Sequence, residues 1–130
     1  MTMPKLTLLL VEDSEPLRKV LAEKMTDEDY QILEASNGDE GIKLATDMKP
    51  DIIVTDIVMY PIDGYTLISS IRNSGPWGSK VPIIALTNLN DTEERARIES
   101  LNITAYLVKS DSSLDDIVGT IKGILEKISA

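Results

Sequence analysis

Five short apolar runs recur along the chain, each followed by residues at helical spacing, and this alternation restricts the possible fold more than any other feature. The runs are Leu6 to Val11, Tyr30 to Ala35, the stretch from Asp51 to Asp56, Val81 to Thr87, and Ala105 to Lys109. Their length suits strands buried on both faces. Ser14 is positioned to cap a first helix that tolerates Pro16 in its first turn and carries Leu17, Val20, Leu21 and Met25 on one face. Asn37-Gly38 introduces a second helix with Ile42, Leu44, Ala45 and Met48, ending toward Pro50. Asp63 caps a third, through Leu67, Ile68 and Ile71, which breaks in a loop over 73–79 that contains Trp77.

The fourth helix starts at Asp91, with Glu94 at the spacing of a capping box. Its large apolar residues are chiefly Ile98 and Leu101, so light anchoring is expected. The last helix carries a broad stripe of Leu114, Ile117, Val118, Ile121, Ile124, Leu125 and Ile128. Gly119 and Gly123 within it read as tolerated surface glycines. Right-handed crossovers between successive parallel strands place helices on both sheet faces. The expectation is an α/β fold: a doubly wound five-stranded parallel sheet in the order 2-1-3-4-5, the flavodoxin-like (βα)5 arrangement. With 130 residues and 42% hydrophobic content, one domain is expected over 1–130, with a core from about 5 to 128.

Composition narrows the chemistry. The formal net charge is -9 and the basic residues are scattered, which argues against a nucleic-acid or anionic membrane surface. No run is long enough to span a bilayer, and the first residues lack a signal-peptide layout, so a cytoplasmic location is the default. The sequence has no cysteine and no histidine, which removes disulfides, thiolate nucleophiles, zinc clusters and the usual general base. Chemistry must therefore run on carboxylates, hydroxyls, lysine and a hard cation.

In the expected sheet, ligands bind beyond the carboxyl ends of the strands, at the switch point between strands one and three. Strand one ends at Glu12-Asp13 and strand three at Asp56, so three carboxylates converge there. Such a cluster raises a pKa or recruits a cation, and magnesium, with its preference for oxygen ligands, is the economical choice. Asp56 is then a candidate nucleophile toward phosphorus. Strand four brings Thr87 to the same edge as a hydrogen-bond donor, and strand five brings Lys109 as a charge for a phosphoryl oxygen. Taken singly, each residue has a plain explanation as turn, β-former or edge charge; five converging on one edge do not.

These residues carry a resemblance. Leu-Leu-Val-Glu-Asp at 9–13, Asp-Ile-Val-Met at 56–59 with Asp63-Gly64, Leu-Thr at 86–87, and Ala-Tyr-Leu-Val-Lys at 105–109 resemble the receiver domains of two-component response regulators, including the chemotaxis response regulators. The resemblance implies that Asp56 accepts phosphate from a histidine kinase, a phosphotransfer protein or a small phosphodonor. It implies magnesium bound by Asp13, Asp56 and the Val58 carbonyl, with Glu12 acting through water. It also implies a switch pair, Thr87 and Tyr106, and a signalling face of the fourth helix, fifth strand and last helix that meets a downstream protein or a second copy after phosphorylation.

The sequence departs from the family pattern at four places. Tyr60 stands where proline is usual, with Pro61 displaced by one, and Asn88 replaces a small residue, a change expected to narrow access or add a polar contact. Val58 and Leu89 are both apolar at positions that influence the attacking water, so a long-lived phosphoryl group is expected. Ser110 replaces a proline that follows a cis bond; because cis before serine costs roughly 2.5 to 4 kcal/mol, a trans bond is expected. The leading reading is a phosphorylation switch, either stand-alone or a receiver from a longer regulator or hybrid kinase, with no enzymatic turnover beyond slow self-dephosphorylation. The alternatives are a pseudo-receiver that binds proteins without phosphorylation, and a strand-end-aspartate phosphatase, which would want a second acid where Val58 stands.

Overall fold

The structure is a computed structural model and describes residues 5–129. In chain order the elements are β1 (Thr7–Val11), α1 (Glu15–Asp27), β2 (Gln31–Ala35), α2 (Gly38–Met48), β3 (Ile52–Thr55), α3 (Gly64–Arg72), α4 (Pro76–Lys80), β4 (Ile83–Thr87), α5 (Thr92–Glu99), β5 (Ala105–Val108), a 3-10 turn (Lys109–Asp111) and α6 (Leu114–Ser129). The strands form one parallel sheet in the order β2-β1-β3-β4-β5, as the alternation of apolar runs predicts.

Alternation along each strand sorts the core into two layers. Leu9, Val11, Ile53, Ile83 and Ala85 face α2, α3 and α5, where they meet Ala45, Leu67, Ile71 and Ile98. Leu8, Leu10, Ile52, Val54, Ile84 and Leu86 face α1 and α6, against Leu21, Met25, Ile117, Ile121 and Leu125. Each fully buried Leu or Ile of this kind stabilises the fold by about 1.5–3 kcal/mol relative to exposure. Period-two sorting is why a one-residue slip in any central strand would turn one apolar layer into the other.

Several local expectations need correction. The loop expected over 73–79 contains α4, and Trp77 lies within that helix, its indole N–H donating to the Pro50 carbonyl. Six helices are therefore present among the described residues instead of five. Lys109 opens the 3-10 turn and is not part of β5. Ser14 occupies the N-cap position of α1 but makes no side-chain cap bond. Val20, grouped by spacing with Leu17, Leu21 and Met25, and Met48, grouped with Ile42, Leu44 and Ala45, are exposed, because α1 and α2 bury narrower stripes around Leu21 and Ala45. Asp91 caps α5 through the N–H groups of Glu93 and Glu94, but the Glu94 carboxylate turns to Arg97, so the capping box is only half made.

Other readings hold. Ile98 is the only buried residue of α5. Space surrounds Gly119 and Gly123. The Lys109–Ser110 bond is trans, the only cis peptide among the described residues being Tyr60–Pro61.

Candidate functional site

The site forms where β1, β3, β4 and β5 end on the same sheet edge. Glu12 and Asp13 follow β1, Asp56 follows β3, Thr87 closes β4 and Lys109 follows β5. Carboxylate oxygens of Glu12, Asp13 and Asp56 lie within 4.8 Å of one another. The acids 43 positions apart in sequence are thus neighbours, as the strand order requires.

Asp56 is held from three directions. Its Oδ1 accepts from the Ile57 N–H at 2.6 Å and the Val58 N–H at 3.2 Å, and its Oδ2 accepts from Lys109 Nζ at 2.8 Å. The sharp turn after Asp56 depends on Gly64. A Cβ there would stand 2.3 Å from the Asp56 carbonyl oxygen and 2.6 Å from Ile57 Cα, both unyielding backbone atoms. The Gly64 N–H bonds the Ile57 carbonyl at 2.8 Å, so the start of α3 lies directly against the backbone that carries the acid.

Lys109 Nζ also lies 2.6 Å from Glu12 Oε1. That contact is a charge pair outside hydrogen-bond alignment: Oε1 is buried and has no aligned hydrogen-bond partner among the described residues, whereas Oε2 accepts from the Ser14 N–H at 3.0 Å. Burial pushes the Glu12 carboxyl above its usual pKa, with the Lys109 contact and the Ser14 N–H opposing that shift. For Lys109, burial works against the charged form, but the Asp56 and Glu12 carboxylates outweigh it and hold the ammonium above its usual value.

Thr87 is fully buried, and its Oγ1 accepts from the Leu89 N–H at 3.2 Å, which leaves its own proton to donate. A cavity of about 380 Å³ opens in front of Asp56, lined by Val58, Thr87, Asn88, Leu89 and Lys109. Tyr106 lies behind it with its ring buried, its hydroxyl donating to the Leu89 carbonyl and the Arg95 guanidinium 4.6 Å from the ring centroid. Val58 and Tyr60 stand out in solvent at 62% and 89% exposure, so the loop after Asp56 presents apolar side chains at the rim.

The donor set fits a hard divalent cation. It consists of oxygens only, it gathers three carboxylates, and one buried carboxylate oxygen retains accepting capacity. Neither a thiolate nor an imidazole exists in the chain to favour a softer metal.

The comparisons agree with this geometry. Residues 8–122 match the family described as the response regulator receiver domain. The chain belongs to that family. Among curated relatives of the receiver, "Probable transcriptional regulator ycf27" of Cyanidium caldarium is 33% identical over 121 residues, which is 93% of this chain and 47% of that protein. "Probable transcriptional regulator ycf29" of Porphyra purpurea is 33% identical over 94% of this chain and 57% of its own length. The receiver therefore spans about half the length of the curated relatives it matches. Among solved structures, the chemotaxis response regulator CheY4 of Vibrio cholerae superposes with a TM-score of 0.84 at 22% identity, covering 93% of this chain and 99% of that one. The non-phosphorylated HemR receiver domain of Leptospira biflexa does so with a TM-score of 0.84 at 24% identity, over 92% and 94%. At these identities the likeness speaks for the fold.

Two contributors to the site were not read from the sequence. Arg18 on α1 donates to the Glu12 carbonyl at 2.7 Å and pairs with Glu34 on β2 at 3.3 Å, fixing the acidic loop of the receiver from below. Its only sequence signal was an arginine six positions after Glu12. The other is Ser110, whose backbone N–H is the partner of the Asn88 side chain.

Proposed function

We propose that this receiver is a phosphoacceptor switch in a two-component phosphorelay, in which Asp56 takes a phosphoryl group from a histidine kinase, a phosphotransfer protein or a small phosphodonor. The observation that carries this reading is the setting of Asp56: its carboxylate is fixed by two N–H groups and Lys109, and it faces a cavity that Thr87 and Lys109 also line. In the transfer, an Asp56 carboxylate oxygen bonds to phosphorus as the P–N bond of a phosphohistidine, or the P–O bond of an acyl phosphate, breaks. The electron pair leaves with the donor's nitrogen or oxygen, and an acyl phosphate remains on the chain.

Lys109 is placed to move its charge from Asp56 to a phosphoryl oxygen, and Thr87 to donate its hydroxyl proton to another. Asp13, Asp56 and the Val58 carbonyl, with Glu12 through water, would hold magnesium, whose charge offsets that of the acids and of the incoming phosphoryl group. As Thr87 turns toward the phosphoryl group, the bond from Leu89 N–H to its Oγ1 is released, and the Leu89 carbonyl that Tyr106 holds moves with the loop. Tyr106 and the lightly anchored α5 then change the α5–β5–α6 face offered to a downstream protein or a second copy of the receiver. The receiver acts on itself, as one domain over 1–130 and in a cytoplasmic setting, with self-dephosphorylation as its only turnover.

The apolar Val58 and Leu89 at the cavity disfavour an ordered attacking water, so the phosphoryl group is expected to persist for minutes or longer with magnesium; loss within seconds, followed by radiolabel decay, contradicts this. The central test is incubation with acetyl phosphate or beryllofluoride, with and without magnesium, read by intact mass and amide spectra. Gain of one phosphoryl mass that requires magnesium and disappears in Asp56→Asn supports the reading. A folded protein that shows neither mass gain nor spectral change is a passive interaction module instead.

A further inference from the structure

The connections that follow Thr87 and Lys109 leave the neighbouring strands β4 and β5 and are joined beside the cavity by a single bond. The Ser110 backbone N–H donates to Asn88 Oδ1 at 3.0 Å, and no other hydrogen bond among the described residues links the β4–α5 connection to the 3-10 turn after β5. Asn88 directly follows Thr87, and Ser110 directly follows Lys109. Asn88, Thr87 and Lys109 all line the cavity in front of Asp56, whose remaining wall residues, Val58 and Leu89, have apolar side chains that cannot replace the bond. The bond needs both residues: the acceptor is the Asn88 side chain, and the donor exists because position 110 is not proline.

We propose that Asn88 is a positioning residue in the wall of the phosphoacceptor cavity, its bond to Ser110 tying together the connections that follow Thr87 and Lys109 and so limiting how far the mouth opens. This rests on the phosphoacceptor reading and extends it to how access is controlled. A phosphodonor entering and a water molecule entering must both pass the same opening, so the clamp slows gain and loss of the phosphoryl group alike. A neutral, solvent-reached hydrogen bond shifts an opening equilibrium by about fivefold.

Two variants remove the bond from opposite ends. Asn88→Leu keeps the bulk and removes the acceptor; Ser110→Pro removes the donor and places there the residue the family commonly carries. Each is expected to raise both the rate of phosphorylation by acetyl phosphate and the rate of hydrolysis by about three- to sixfold. The double variant is expected to match either single one, because the same bond is lost once. Amide exchange gives an independent reading in the unphosphorylated protein: the Ser110 N–H exchanges faster in Asn88→Leu, while strand amides keep their protection. Additive rate effects, a change in melting temperature without parallel rate changes, or Ser110 exchange that is the same in Asn88→Leu as in the wild type would each overturn the clamp. If the wild type takes up no phosphoryl group from any donor, the phosphoacceptor reading and the kinetic role fall together, whereas unchanged Ser110 exchange in a protein that is phosphorylated overturns the clamp alone.

Discussion

Lys109 holds Asp56 at 2.8 Å and Glu12 at 2.6 Å, with 18% of its side chain exposed. Replacing it with methionine would leave two buried carboxylates facing each other beside Asp13. A fully buried pair broken this way costs about 3–5 kcal/mol, and the cavity admits water here, so Lys109→Met is expected to cost about 2 kcal/mol in chelator. Magnesium should return part of that loss, which urea unfolding with and without the ion will measure; equal losses under both conditions would deny that the lysine offsets those acids. Tyr106 offers a pH prediction. Burial raises its phenol above the ordinary value of 10.0, with Arg95 opposing, and the hydroxyl is tied to Leu89. A folded value above the unfolded one means that its contribution to stability is fully present below about pH 10 and is lost as pH rises through the folded value. The difference in phenolate absorbance between wild type and Tyr106→Phe should therefore have its midpoint above 10, and a midpoint at or below 10 would show the ring to be solvated. Glu12, Asp13, Asp56, Thr87 and Lys109 were legible in the sequence because each ends an apolar run, and strand order then dictates where they meet. The Asn88–Ser110 bond was not legible, since no spacing announces which side chain will take one exposed N–H.

Among the elements, strands were easier to read than helices. β1, β3 and β4 are buried on both faces, so their sequences are continuous apolar runs with clear ends. α4 was missed because Gly75, Pro76, Gly78 and Ser79 are turn formers, and five residues hold no helical period. Tertiary contacts supply what propensity lacks. Arg72, at the end of α3, donates to the carbonyls of Gly78 and Val81 at 2.8 Å, Leu101 at 2.9 Å and Asn102 at 3.0 Å. One guanidinium thus fastens α4, the start of β4 and the turn after α5, and burial lowers its pKa without threatening its charge. Arg72→Met should cost about 3 kcal/mol, since several carbonyls lose a charged partner at once. Near-ultraviolet circular dichroism should show the Trp77 signal weaken as α4 loosens, because the indole is set by its bond to Pro50. An intact Trp77 signal with a loss under 1 kcal/mol would mean that water replaces the guanidinium at little cost. α5 follows the opposite logic: its caps and charges make a helix that local sequence predicts well, but Ile98 is its one buried residue and Arg95 over the Tyr106 ring adds only a surface contact to the sheet.

At the scale of the whole molecule, a formal charge of -9 opposes compaction, and the site concentrates three of the acids at one sheet edge. Two kinds of cation effect follow and are separable. Monovalent salt screens the general repulsion over a Debye length of about 10 Å at 0.1 M and needs no particular residue. A divalent ion at Glu12, Asp13 and Asp56 would bind the folded state alone, because the unfolded chain does not bring residues 12 and 56 together. Its stabilisation follows the free concentration relative to the dissociation constant, and at ten times that constant it amounts to about 1.4 kcal/mol. For a chain of this size the melting temperature should rise by roughly 5 °C. Sodium chloride at matched ionic strength should give a smaller shift that does not saturate with the same midpoint. In Asp13→Asn the magnesium increment should vanish while the sodium response stays, since the substitution removes a candidate ligand that is itself exposed and carries little of the core. A magnesium increment that survives Asp13→Asn, or one that sodium reproduces, would mean that the ion screens the molecule at large and that the converged acids serve something other than a metal.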